Sequence, residues 1–265
     1  MRVGGVDCHA HVWTPPLAFI AGARHRPDYD APVEAYLGHL DAHGLTHGLL
    51  IQPSFLGTDN SVMLDAVRRH RERLKAVVML DPATTTEQLV AMEAKGAVGV
   101  RYNLIGLALP DFARQPHAGF VQRLAERGWH VEIHRQARDL PTLLPPLLGA
   151  GVKVAIDHFG RPDPALRAAD PGFRYLLTLE RAPVWVKVSA AYRCGGDDAA
   201  RELSARLLED LGPDRLVWGS DWPHTQHELT TYASTFGLLE ASIPDPGARG
   251  TILGKSPARL MQTES

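Results

Sequence analysis

Short runs of β-branched and other apolar residues recur along the chain, and most are followed by a segment with apolar residues at helical spacing. This alternation is typical of βα units in a parallel sheet. It predicts eight strands, which cover residues 5–9, 45–52, 74–80, 98–102, 130–134, 153–157, 184–189 and 216–220.

Helical periodicity fills much of the sequence between these strands. Several of the helical segments end beside a glycine, which suits a helix C-terminus. The chain after residue 228 is less regular, with one helix expected over 229–241 and another ending near Met261. The helices predicted between the strands cover residues 60–70, 86–95, 119–127, 140–148 and 199–211.

Eight strands joined mostly by helices predict an α/β fold of the (β/α)8 TIM-barrel type. The 265 residues suit one such domain, spanning 1–265. An open doubly wound sheet is the competing architecture, but the glycine-rich dinucleotide fingerprint after the first strand is missing. Two irregular stretches, 14–31 and 104–118, directly follow strands. In a barrel, loops at this position border the active site, so both are expected to shape the substrate pocket.

Composition narrows the range of partners. Apolar residues make up 45% of the chain and charged residues 22%, with a formal net charge of −2. Such a balance favours a folded enzyme and argues against nucleic-acid or membrane partners. Two distant cysteines suit a reducing compartment, and with no secretory or spanning segment apparent in the sequence, a cytoplasmic location is expected. The oligomeric state stays open, and a homo-oligomer is compatible with the sequence.

Polar residues collect at the predicted carboxyl ends of the strands, where barrel enzymes work. His9 and His11 close the first strand, and residues two apart in an extended segment project to one side. His158 follows the sixth strand, and Asp221 follows the eighth. A lone His-x-His is a weak signal, and a lone aspartate is often a helix cap. Because a closed barrel places its first strand beside its eighth, however, these side chains are expected to face one cavity.

His134, at the end of the fifth strand, adds a further imidazole. With His9, His11 and Asp221 it would supply an N/O ligand set for one divalent metal ion, with zinc favoured. A role for His134 in contacting the substrate is the alternative, and activity without a metal is equally compatible with these residues.

Four other residues are candidates for binding a small carboxylated substrate. Arg101 and Arg193 can hold a carboxylate through the guanidinium fork, although either could instead be a structural ion-pair partner. Ser54, after the second strand, can add a neutral hydrogen bond. His224 lies in the segment that follows the eighth strand.

Ordered motifs along nearly the whole chain resemble the amidohydrolase-related family, and within it the branch of 2-pyrone-4,6-dicarboxylate lactonase and related lactonases. The resemblance implies a distorted (β/α)8 barrel and either hydrolysis or, in another branch, decarboxylation of a carboxylated substrate. The motifs are Val6-Asp7-Cys8-His9-Ala10-His11, Gln52-Pro53-Ser54, Gly57-Thr58-Asp59-Asn60, Gly99-Val100-Arg101, Asp157-His158-Phe159-Gly160-Arg161-Pro162 and Gly219-Ser220-Asp221-Trp222-Pro223-His224.

By this resemblance, His9 and His11 match the histidine pair of the first strand, His158 the histidine of the sixth, and Asp221 the aspartate that activates water. The hypothesis is therefore a lactonase in which Asp221 is the general base and the histidines polarise the ring carbonyl, with or without a metal. A zinc-dependent decarboxylase or metallohydrolase is the enzymatic alternative. A non-catalytic carboxylate-binding protein is the alternative from another class.

The resemblance also assigns Arg101 and Arg193 to arginines that hold substrate carboxylates. Two departures stand out. The pyrone lactonase has a tyrosine where this chain has His134, and metal-dependent relatives place a histidine ligand there. A further arginine expected soon after Arg101 is missing, because residues 104–109 are apolar apart from glycine.

Overall fold

The computed structural model describes residues 4–261. Its sheet contains eight parallel strands that pair in chain order, each with the next. The strands are β1 Gly5–Ala10, β2 Leu45–Ile51, β3 Leu74–Val78, β4 Ala97–Asn103, β5 His130–His134, β6 Lys153–Ile156, β7 Val184–Val188 and β8 Leu216–Trp218.

The sheet closes on itself between β1 and the segment that follows β8. The backbone N–H of Asp221 donates to His9 O at 2.8 Å, and the N–H of His11 donates to Trp222 O at 2.8 Å. Ala10 and Trp222 form a parallel bridge. The predicted (β/α)8 TIM barrel is confirmed, and its closure brings the first and eighth strand ends together.

Helices surround the barrel in the described part of the chain, and none of them is long and apolar enough to cross a bilayer. Three were not predicted, and they are Val33–Ala42, Pro171–Leu177 and the short Pro246–Gly250. The helix predicted from residue 229 begins at Tyr232, where Thr231 caps it. The helices are α1 Val33–Ala42, α2 Ser61–Arg69, α3 Thr86–Ala94, α4 His117–Glu126, α5 Leu140–Gly149, α6 Pro171–Leu177, α7 Asp197–Leu211, α8 Tyr232–Ser242, α9 Pro246–Gly250 and α10 Ser256–Met261.

The barrel interior changes from apolar to charged along the strand direction. At the amino end, Cys8, Trp185 and Val217 form a buried cluster with Leu260 of α10. Residues two apart on a strand share a face, so the next inward positions lie one layer closer to the carboxyl end. There the inward residues are charged, and Lys187 lies above Trp185 on β7. The polar layers therefore lie directly beneath the carboxyl ends of the strands, where the candidate site is found.

Candidate active site

A cavity of about 310 Å³ opens at the carboxyl end of the barrel. It is lined by residues that follow the strands and by the two predicted loops, which confirms the expected location of those loops. The loop 14–31 contributes Arg24 and His25, and the loop 104–118 contributes Ile105. The other lining residues are His11, Pro53, Ser54, Phe55, Arg101, Asn103, His134, His158, Arg161, Tyr192, Arg193, Asp221, Thr225, Gln226 and His227.

Asp221 lies at the floor of this cavity, with three imidazoles around one of its oxygens. Its Oδ1 is 3.4 Å from His9 Nε2, 3.6 Å from His11 Nε2 and 3.9 Å from His158 Nε2. All four residues are buried. His11, His158 and Asp221 line the cavity, whereas His9 does not line it and reaches the cluster through its contact with Asp221.

The backbone around this cluster is shaped to bring the side chains together. The pairing of β1 with β2 shifts register between Asp7 and Ala10, which is a β-bulge next to the histidines. Gly219 lies against His9 so closely that a Cβ would stand 2.4 Å from the His9 Cβ. Asp221 and His158 have left-handed φ angles of 58° and 51°. Such conformations in residues other than glycine cost roughly 1–3 kcal/mol each and concentrate at functional sites.

The hydrogen bonds of His11 fix which of its nitrogens can accept. Its Nδ1 lies 2.7 Å from the carbonyl oxygen of Ile51, which can only accept, so Nδ1 carries the proton. The Nε2 of neutral His11 is therefore an acceptor that faces Asp221 Oδ1. His11 Nε2 and Asp221 Oδ1 are both acceptors, so a proton donor or a cation is needed between them. A water molecule or a metal ion can fill this role.

The charges of the cluster follow from burial and from neighbouring groups. Burial by itself would raise the pKa of Asp221, but the Arg193 guanidinium and His158 bring it well below its usual range. Burial lowers the pKa of His158 to about 3, and it also lowers the pKa values of His9 and His11, with Lys187 adding to the effect on His9. The site therefore presents a carboxylate among neutral imidazoles at neutral pH.

The second oxygen of Asp221 is fully engaged. Its Oδ2 accepts a hydrogen bond from Tyr192 Oη at 2.7 Å and one from Arg193 Nε at 3.0 Å. Arg193 was predicted to hold a substrate carboxylate, and its guanidinium does line the cavity. Its contacts with Asp221 form a structural ion pair, which was the alternative to that prediction. Because Oδ2 is held, Oδ1 is the oxygen that faces the histidines.

Beneath the cluster lies a buried charge network that was not predicted from the sequence. Lys187 Nζ contacts Glu132, lies 3.3 Å from Asp157 Oδ1 and lies 3.0 Å from His9 Nδ1. Arg101 joins through Asp157 at 3.2 Å and Glu132 at 3.5 Å. Burial and the adjacent Asp157 raise the pKa of Glu132, whereas the charges of Lys187 and Arg101 oppose this shift and favour the carboxylate. The sequence signal for this network was the presence of Lys187 and Glu132 at inward positions of otherwise apolar strands.

His134 occupies a different position from the other predicted metal ligands. Its Nδ1 lies 3.3 Å from Arg101 and its Nε2 lies 3.1 Å from Arg161. Within residues 4–261, the group that combines Asp221 with imidazoles at ligand spacing contains His9 and His158, whose donor atoms lie within 4.8 Å of one another. The structure thus brings His158, rather than His134, to the side of Asp221.

A family model described as amidohydrolase matches residues 6–262. The chain belongs to the amidohydrolase family. This confirms the resemblance drawn from the motifs, and with it the expected hydrolase class.

Three relatives of this amidohydrolase span nearly its whole length. The 4-sulfomuconolactone hydrolase of Hydrogenophaga intermedia is 33% identical over 280 residues, covering 98% of this chain and 89% of that protein. The 2-pyrone-4,6-dicarboxylate hydrolase of Comamonas testosteroni is 30% identical, covering 92% and 84%. The crystal structure of a probable 2-pyrone-4,6-dicarboxylic acid hydrolase from Acinetobacter baumannii with citric acid bound is 39% identical, with a TM-score of 0.94 and coverage of 97% and 99%. A 2,6-dihydroxybenzoate decarboxylase shares the fold at 16% identity.

The remaining predicted residues of this amidohydrolase fall at different depths. Ser54 lines the cavity at the start of a short 3-10 helix, Ser54–Leu56. His224 is buried behind the wall, with Nδ1 3.4 Å from Tyr192 Oη. Arg101 lines the cavity from below and is ion-paired, as described above. Arg24 had not been singled out, because an irregular loop gives no sequence signal for where its side chains point.

Proposed function

We propose that this amidohydrolase is a lactonase that opens a lactone bearing at least one acidic group. The observation that carries the proposal is Asp221, whose Oδ1 faces three imidazoles at the floor of a cavity with arginines in its walls. The relatives named above act on lactones with sulfonate or carboxylate groups, according to their names.

The proposed reaction begins with a water molecule beside Asp221 Oδ1 and His11 Nε2, which are both acceptors. Asp221 takes a proton as the water oxygen attacks the ring carbonyl carbon, forming a tetrahedral intermediate with a negative oxygen. The ring C–O bond then breaks, and the proton held by Asp221 passes to the leaving oxygen. The product is an open-chain hydroxy acid, which loses a proton to solvent at neutral pH.

Stabilisation of the negative oxygen falls to His9 and His158. When Lys187 donates to His9 Nδ1, the proton of neutral His9 lies on Nε2, which can then donate into the cavity. Ser189 Oγ, 2.8 Å from His158 Nδ1, can set the same tautomer for His158. In this proposal His9 and His158 are the donors, and His11, whose Nε2 carries no proton, accepts from the attacking water instead.

Part of this cluster fits a divalent metal ion, which is the cofactor alternative. His9 and His158 would each offer a ring nitrogen and Asp221 would offer a carboxylate oxygen, and these donor atoms all lie within 4.8 Å of one another. His11 Nε2 lies 3.6 Å from Asp221 Oδ1 but falls outside that group. Zinc holds such nitrogen and oxygen ligands at about 2.0–2.2 Å. A bound ion would polarise the carbonyl and lower the pKa of a bound water. In that case His9 would hold its proton on Nδ1, where Asp157 Oδ1 lies 3.2 Å away.

The test is a lactone panel read by proton release in a pH-stat. We expect rapid release from lactones with one or two acidic groups and slower release from a neutral lactone of the same ring size. Metal content and activity after chelation separate the two modes: full activity without metal supports the histidine donors, and loss restored by zinc supports the ion. No release from any lactone would contradict the proposal, and carbon dioxide from an aromatic carboxylate would favour the decarboxylase alternative.

A further inference from the structure

Four arginines line the cavity, and they differ in whether the protein supplies them with a counter-charge. Arg101 is paired with Asp157 and Glu132, and Arg193 is paired with Asp221. Within residues 4–261, neither Arg24 nor Arg161 has a carboxylate oxygen within 4.0 Å. The two arginines predicted to bind substrate are thus the paired ones, and two that were not predicted carry uncompensated charge.

Two adjacent strand ends hold these uncompensated guanidiniums side by side. Asn103 on β4 pairs in register with His134 on β5. Arg24 donates to Asn103 Oδ1 at 3.1 Å, and Arg161 NH1 lies 3.1 Å from His134 Nε2. Neighbouring strands lie about 4.8 Å apart, so the two neutral acceptors present their guanidiniums to the same part of the cavity. An amide oxygen and an imidazole nitrogen orient the arginines without neutralising them.

The two positive charges raise each other's energy in the absence of an anion. Arg24 lines the cavity but is exposed, and its partial burial, together with the nearby charges of Arg101, Arg161 and Arg193, lowers its pKa. Burial likewise lowers the pKa of Arg161. An oxyanion placed between the two guanidiniums would relieve this repulsion and accept charge-assisted hydrogen bonds from both.

We propose that Arg24 and Arg161 form a second oxyanion subsite, which binds an acidic substituent of the lactone away from the ring carbonyl. The subsite adjoins the reaction centre, because the His134 ring that contacts Arg161 lies 4.8 Å from the His158 ring. Its ligand is a carboxylate or sulfonate group. This inference rests on the proposed function and narrows the substrate class to lactones with an acidic group at this distance from the ring carbonyl.

The subsite also accounts for a departure from the family pattern. An arginine expected shortly after Arg101 is absent from the loop 104–118, which supplies apolar Ile105 to the cavity. Arg24 reaches the end of β4 from the other loop, 14–31, and is held there by Asn103. We infer that the loop after β1 supplies the charge that the loop after β4 lacks.

The experiment compares Arg24→Gln with Arg26→Gln, a matched control. Arg26 is an exposed arginine of the same loop that lies over the Phe19 ring and does not line the cavity. Loss of charge-assisted hydrogen bonds is expected to lower kcat/KM of Arg24→Gln for a diacidic lactone roughly 10- to 100-fold, mainly through KM. The loss for the monoacidic lactone should be several-fold smaller, and Arg26→Gln should match wild type on both. Comparing kcat/KM for a diacidic lactone with a carboxylate substituent and one with a sulfonate substituent identifies which oxyanion the subsite prefers.

A second variant tests the charge itself. Asn103→Asp keeps Arg24 and gives it a carboxylate partner, so it should reproduce the selective loss on the diacidic lactone. Equal losses on both lactones in Arg24→Gln, or losses equal to those of Arg26→Gln, would overturn the subsite while leaving the lactonase intact.

Binding of citrate, measured by calorimetry, separates this inference from the proposed function. If no lactone is opened but citrate binds wild type and binds Arg24→Gln about tenfold more weakly, the subsite stands and the lactonase does not. If citrate binds both proteins equally, the subsite is overturned. If wild type neither binds citrate nor opens a lactone, both proposals fail.

Discussion

The charged layer inside the barrel and two of the arginines in the cavity wall differ in whether the protein supplies a partner of opposite charge. In the interior, two positive groups, Lys187 and Arg101, face two carboxylates, Glu132 and Asp157, and all are buried. In the wall, Arg24 and Arg161 are held by neutral acceptors. Where water is excluded, an unpaired charge is strongly destabilising, so the protein supplies every partner. Where the substrate brings the negative charge, a built-in partner would compete with it.

The largest effect is expected from breaking the interior set. Lys187→Met leaves Glu132 and Asp157 with a single positive partner in a buried site, so the free energy of unfolding should fall by about 3–5 kcal/mol. Urea unfolding measures it. The double variant Lys187→Met/Glu132→Gln removes one of the carboxylates left without a partner, so it should regain part of the lost free energy of unfolding. If Lys187→Met alone is as stable as the wild type, the view that these buried charges stabilise one another is contradicted.

The acid dependence of stability should come next. Burial lowers the pKa of His130 to about 3, so this histidine stays neutral in the folded protein. The unfolded histidine binds a proton below about pH 6.5. The unfolding free energy should therefore fall as pH drops from about 6.5 toward 3, by up to about 1.4 kcal/mol per pH unit for this group. Urea unfolding from pH 7.5 to 4.5 should show a steeper dependence in wild type than in His130→Leu, and equal slopes would contradict it.

A smaller effect is expected where an uncharged group supports the site. Ser189 Oγ orients His158 through Nδ1 at 2.8 Å. Ser189→Ala should lower kcat about tenfold, as loss of an orienting partner typically does, with little change in melting temperature. Ser204→Ala is the control, because that buried hydroxyl has no hydrogen-bond partner among the described residues. Equal kcat values for the two variants would remove Ser189 from the positioning role.

The smallest effect should come from an exposed ion pair, which sharpens the contrast with Lys187. Arg69 contacts Glu34 at 2.6 Å and Asp65 at 3.0 Å, all on the surface. Arg69→Ala should change the free energy of unfolding by less than about 1 kcal/mol, because water screens these charges. A loss as large as that of Lys187→Met would show that burial does not separate the two kinds of pair.

The sequence predicted the parts of the molecule that depend on local pattern. The eight strands follow from short apolar runs that alternate with helical segments, and the closure expected of such a barrel then places Asp221 beside His9 and His11. Helix α1 was missed because no clear start signal follows the irregular loop, and Pro32 at its start provides no side-chain cap. Helix α6, only seven residues long, was missed as well.

What could not be predicted depends on contacts between distant segments. The side chain of Arg24 reaches Asn103, 79 positions away, and Lys187 reaches His9, 178 positions away. His134 was expected beside the metal ligands because it ends a strand, but two arginines flank its ring nitrogens. The proton on His11 Nδ1 follows from one carbonyl oxygen of β2, which no spacing in the sequence indicates.

The most direct test of the central claim is the turnover of Asp221→Asn on the best lactone of the panel. Asparagine keeps the size of the side chain and loses the basic oxygen, so kcat should fall by about 10²–10⁴-fold. Melting temperature and citrate binding, measured on the same preparation, show whether the fold and the cavity are retained. A folded, citrate-binding variant with kcat within a few-fold of wild type would contradict the assignment of Asp221 as the base.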